Sequence, residues 1–132
     1  RILDRHLGDA DAEGLGGNEL ADRLRAAADE ADGDAGPLAQ ERGIAVLVNR
    51  PFQRGELFQA VRGRDLPDWA AEFDCKSWAQ FFLKFIVSHP AVTCAIPASS
   101  KVHHLVDNMG AGTGRLPDSA MRERMIKYIE QI

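Results

Sequence analysis

The chain has 132 residues, 45% hydrophobic and 27% charged, with a formal net charge of −4; this suits one packed domain but falls well short of the roughly 250 residues of a complete eight-stranded barrel. No run of about 18 apolar residues occurs, so no membrane-spanning helix is expected. The first 36 residues hold four arginines against ten acids, and no basic stripe stands out elsewhere, which argues against nucleic acid as a partner.

In chain order, residues 1–36 are acidic and interrupted by Gly8, Gly14, Gly16, Gly17, Gly33 and Gly36. One helix is expected within them, over Asn18 to Glu30, with Asn18 as its cap and Leu20, Leu24 and Ala27 or Ala28 on one face. The glycines before it follow no strand, and the G-x-G-x-x-G spacing fails at Glu19, so they read as a linker rather than a nucleotide loop. The acidic stretch from Ala28 to Gly36 reads as solvated loop or disorder.

From Pro37 the signals sharpen. PLAQERG reads as the last turns of a helix closed by Gly43 in a left-handed conformation. Ile44 to Val48 is a continuous apolar run, which predicts a strand covered on both faces. A long loop, Asn49 to Asp74, exceeds ordinary connections and holds two short helical pieces, ELFQAV and PDWAAEF. The segment from Cys75 or Lys76 to His89 is expected to be a helix. Its Trp78, Phe81, Phe82, Phe85 and Ile86 recur at helical spacing and should pack on the sheet.

Val92 to Ile96 is a second short apolar run bounded by prolines, and with the first it predicts a right-handed strand, crossover helix, parallel strand unit. Pro97, Ala98, Ser99 and Ser100 form the turn that follows. A helix should begin near Ser99 or Ser100, because Val102, Leu105, Val106 and Met109 share one helical face. Either serine suits the cap, and the free N–H groups of the first turn, the helix dipole and Lys101 together suit a phosphate. A capped helix after a strand is common in α/β proteins, so the pattern alone leaves a purely structural role open. His103 and His104 lie about 100° apart on a helix, and no metal site is expected. The tail, from Pro117 and Asp118 onward, should form an amphipathic helix with Met121, Met125, Tyr128, Ile129 and Ile132 inward. Cys75 and Cys94 lack a spaced partner, for which reduced thiols in a cytoplasmic protein are the simplest account.

VNRPF at 48–52, SWAQFFLKFIVSHPAVTCAIPASSK at 77–101 and HLVDNMGAG at 104–112 resemble, in order and spacing, the C-terminal part of a bacterial aldo/keto reductase. The resemblance covers about residues 37–132 and leaves 1–36 unassigned. It implies an α/β fold that is a C-terminal fragment of a (β/α)8 TIM-type barrel: the last two strands, their crossover helix, a phosphate-binding helix and the C-terminal helix. It also implies NADP(H) as cofactor. Ser99, with Ser100 in the same turn, and Lys101 would hold the adenosine 2′-phosphate, with His104 where many members carry arginine. Asp107 and Asn108 would meet the adenine edge; their structural alternative is a polar helix end before Gly110. The turn that wraps the pyrophosphate in the family, often Tyr-Ser-Pro-Leu, here begins with Asn49 and Arg50. Backbone contacts from Phe52 remain, and Arg50 or Arg54 would reach a phosphate as a fork-shaped donor.

The same resemblance implies an oxidoreductase that reduces a small carbonyl compound by hydride transfer, using Asp, Tyr, Lys and His from earlier strands. None of those strands is in this sequence, and its single tyrosine, Tyr128, falls in the terminal helix. The chain is therefore expected to bind the dinucleotide without catalysing reduction; the alternative is a truncated remnant or a nucleotide-binding regulatory module. Two strands cannot close a barrel, so exposed barrel faces, low stability and self-association are expected as well.

Overall fold

The computed structural model describes residues 16–29 and 35–132. Helix α1 (Gly17–Asp29) comes first, then α2 (Ala35–Glu41) and strand β1 (Leu47–Asn49). A 3₁₀ turn at Gln53–Gly55 leads into α3 (Glu56–Ala60), and a second at Asp68–Phe73 precedes α4 (Trp78–Val87). Strand β2 (Cys94–Ile96), α5 (Val102–Gly110) and α6 (Ser119–Glu130) complete the order. Among the described residues the fold is mixed α/β, mostly helical, with one two-stranded parallel sheet in which Leu47, Val48 and Asn49 pair with Cys94, Ala95 and Ile96. The pairing extends one step beyond the strands, where the Thr93 N–H donates to the Val46 carbonyl and the Val46 N–H to Thr93 Oγ1.

Local chemistry explains most boundaries. Gly43 sits at φ 63°, the Gly43 N–H donates to the Gln40 carbonyl, and the Ile44 N–H donates to the Ala39 carbonyl. That is the double bond of a Schellman stop, which requires a left-handed residue where glycine costs least. Helix α4 starts at Ser77, whose Oγ accepts from the Gln80 N–H, and α6 starts at Asp118, whose carboxylate accepts from the Met121 N–H. Asn18 lies inside the first turn of α1 instead of capping it, because the helix begins at Gly17.

The core is built where three helical stripes and one sheet face meet. Leu20, Ala21 and Leu24 of α1, Phe81, Phe82 and Ile86 of α4, and Met125 and Ile129 of α6 are fully buried with Val48, Leu57 and Phe73. The helix expected inside the acidic first segment thus belongs to this core: α1 packs chiefly on α6, and its Arg23 pairs with Glu56 of α3. The side chains of Ala27 and Ala28, and the stretch from 30 to 34, lie outside the described residues.

The strands depart from expectation in length and in cover. Each has three residues where five apolar ones were expected. Val48 is buried and its partner Ala95 packs against the core, whereas Leu47 and Ile96 are 48% and 50% exposed. Among the described residues, helices cover one face of the sheet and nothing covers the other, so continuous apolar character here does not mean burial on both sides. No helix among the described residues is long and apolar enough to cross a membrane.

Candidate functional site

Parallel pairing sets the site. Asn49 and Ile96 are partners in the register, so the chain leaves β1 at Arg50 and leaves β2 at Pro97 side by side, on the same edge of the sheet. In open α/β sheets and barrels, the edge at the carboxyl ends of the strands is where ligands bind. The two predicted halves of the phosphate site, 50–54 and 99–104, are thus brought to one edge.

The turn after β1 has an uncommon backbone. Arg50, Gln53 and Arg54 all lie at positive φ, 57°, 48° and 56°, followed by Gly55 at 96°. Each non-glycine residue held there costs on the order of 1 kcal/mol. The surroundings that hold the turn are visible: Pro51 is buried, the Phe52 ring packs on Phe58 at 4.8 Å between centroids, and the Gln53 and Gly55 N–H groups donate to the Arg50 and Phe52 carbonyls. Arg50 and Arg54 are both exposed at this edge.

The turn after β2 corrects the expected cap. Helix α5 begins at Val102, and its N-cap residue is Lys101, which has no side-chain cap. Ser99 Oγ instead accepts from the Lys101 N–H and donates to the Lys101 carbonyl, both at 3.3 Å, so the hydroxyl closes a local loop before the helix. Ser99, Ser100, Lys101 and His104 are all exposed, and the first-turn N–H groups of α5, which have no intrahelical partner, lie beside them. His103 and His104 meet edge to face with ring centroids 4.3 Å apart.

Asp107 and Asn108 are disposed differently from the ligand contacts expected of them. Ser77 Oγ donates to Asp107 Oδ2 at 2.7 Å, and Gln80 Nε2 donates to Asp107 Oδ1 at 2.9 Å and to its carbonyl at 3.1 Å. Asn108 is 8% exposed. Asp107 faces α4, and the 100° step of a helix puts 107, 108 and 111 on the side opposite 102, 105, 106 and 109. Asp107 anchors α5 to α4. Sequence reasoning did not single out Ser77 or Gln80, although Ser-Trp-Ala-Gln at 77–80 matches the serine-x-x-glutamine signature of a helix start. In this variant Gln80 Oε1 accepts from the Lys76 N–H.

A second anchor follows α5. Lys84 of α4 is fully buried, and its Nζ donates to the Thr113 and Arg115 carbonyls at 2.7 and 2.9 Å. Burial lowers its pKa. Asp74 accepts from the Arg115 N–H, Nε and Nη2, and those bonds hold its carboxyl down at about 2. The carboxyl end of α5 and the turn that follows it are therefore fastened to α4 and to the turn before α4.

A cavity of about 550 Å³ lies elsewhere, between Arg25 of α1, Phe85 of α4 with Ser88–Pro90 just after it, and the first turns of α6 around Arg122. None of its lining residues belongs to the turns at 50–54 and 99–104. Its Arg25 pairs with Asp22 and Glu130, and Arg122 donates to the Phe85 carbonyl and to Ser88 Oγ while stacking on the Phe85 ring at 4.1 Å. These commitments make it a seam between helices. No group of three or more His, Cys, Asp or Glu among the described residues is arranged to hold a metal ion, and Cys75 and Cys94 are free thiols.

The class of protein defined at this level is a mixed α/β chain with a two-stranded parallel sheet and a polar, partly cationic edge at its carboxyl ends. Against models of protein families, curated proteins and solved structures, the chain has no match.

Proposed function

We propose that residues 37–132 are the C-terminal, cofactor-phosphate-binding part of an aldo/keto reductase-like oxidoreductase, a fragment of a (β/α)8 barrel that takes NADP(H). The observation that carries this reading is the parallel register of β1 and β2, which sets the turn at Arg50–Arg54 beside the turn at Ser99–Lys101. The open face of the sheet, with Leu47 and Ile96 exposed, suits strands whose second face is meant for a barrel interior.

The residues fit a phosphate better than they fit an adenine. Ser99, Ser100, Lys101 and His104 are exposed around a helix start that no side chain caps, which suits an anion. Arg50 and Arg54 supply further cations on the same edge, and Phe52 supplies backbone. Asp107 and Asn108 are occupied in packing, so the adenine contacts of this reading fall to other groups. When bound, the nicotinamide supplies hydride chemistry. The chain's single tyrosine, Tyr128, packs on Trp69 and Trp78 with centroids at 5.6 and 6.4 Å, serving an aromatic cluster and not this edge. This chain's part is to bind and orient; reduction of a small carbonyl compound belongs to a context that supplies the acid and its partners.

Calorimetric titration of the 132-residue chain with NADPH and NADH tests the reading. NADPH should bind, and Lys101→Ala should weaken it about tenfold, the equivalent of roughly 1.4 kcal/mol for one charge-assisted contact, while NADH changes little. Absence of NADPH binding, or binding indifferent to Lys101→Ala and Ser99→Ala, would remove the assignment.

A further inference from the structure

We draw no further inference here: the strongest candidate, the outward apolar face of α5 formed by Val102, Leu105, Val106 and Met109, lies opposite the side by which that helix packs on α4, and nothing in the structure shows what covers it.

Discussion

Both carboxylate oxygens of Asp107 accept donors from α4 and its cap, which gives the residue a structural role whatever its place in a motif. Asp107→Ala removes the acceptor of the Ser77 hydroxyl and leaves the Gln80 amide only the residue-107 carbonyl, in a half-buried setting, and should cost about 1–3 kcal/mol in urea unfolding. NADPH affinity measured well below the unfolding midpoint should stay within a factor of two. A loss of affinity with unchanged stability would reverse the assignment and return Asp107 to the ligand.

Cys75 offers a pH signature at the same scale. Its thiol is buried and donates to the Ser77 carbonyl at 3.4 Å, and burial pushes its pKa from 9.0 up to about 11. The unfolded chain thus gives up this proton near pH 9.0, whereas the native chain holds it to about 11. Unfolding releases a proton in that window, so the contribution is complete below pH 9.0 and is lost as pH rises through the native value. Lys84, with its pKa lowered by burial, acts in the opposite sense below its ordinary 10.5, so only a comparison isolates the thiol. The alkaline fall in the urea midpoint should be shallower in Cys75→Ala than in the parent chain; equal slopes would mean that Cys75 ionises alike in both states.

At the scale of the element, α5 is amphipathic but mounted in reverse. Val102 is 77% exposed and Met109 67%, while Asp107, Asn108 and Ala111 face inward. Val106→Lys should therefore change stability by less than about 0.5 kcal/mol, as expected for a surface site. Gly110→Ala should cost more, about 1–2 kcal/mol, because a Cβ there intrudes on Gln80 Nε2 and displaces the amide from Asp107. Paired urea melts of the two variants decide the point: a large loss in Val106→Lys with none in Gly110→Ala would mean that α5 packs by its apolar face.

The same helix marks how far the sequence can be read. Periodicity identified the apolar faces of α4 and α6 and the stripe of α5, because residues that share a face do so in any helix. It could not say whether that face is covered. For α4, Phe81, Phe82 and Ile86 go inward; for α5, hydrogen bonds from Ser77 and Gln80 to Asp107 turn the polar side inward instead. Those bonds join residues 30 and 27 positions apart, beyond the reach of a local pattern. Gly43 was legible because its left-handed stop is a local requirement. The helix start after β2 was legible only to within two residues, since the Ser99 hydroxyl closes on Lys101 and not on the helix.

At the scale of the molecule, large apolar side chains among the described residues stand in solvent on two elements of the fold. Leu47 and Ile96 lie on the open sheet face, Ile44 before it is 51% exposed, and the α5 stripe adds four more. At about 25 cal/mol per Å² of apolar surface removed from water, covering even part of this area is favourable, and a two-stranded sheet also leaves unpaired strand edges. Concentration-dependent association is therefore expected in sedimentation velocity, together with a low unfolding midpoint. Replacing Leu47 and Ile96 by threonine puts a β-branched residue suited to strands at both positions while removing apolar surface, so it should reduce association without loss of helical signal. If association persists in that variant but falls in Val106→Lys, the α5 face is its origin. A parent chain that sediments as a monomer at every concentration and unfolds in one cooperative step would show that these surfaces are tolerated in water, and would take away the support that the open sheet face lends to reading the chain as part of a larger barrel.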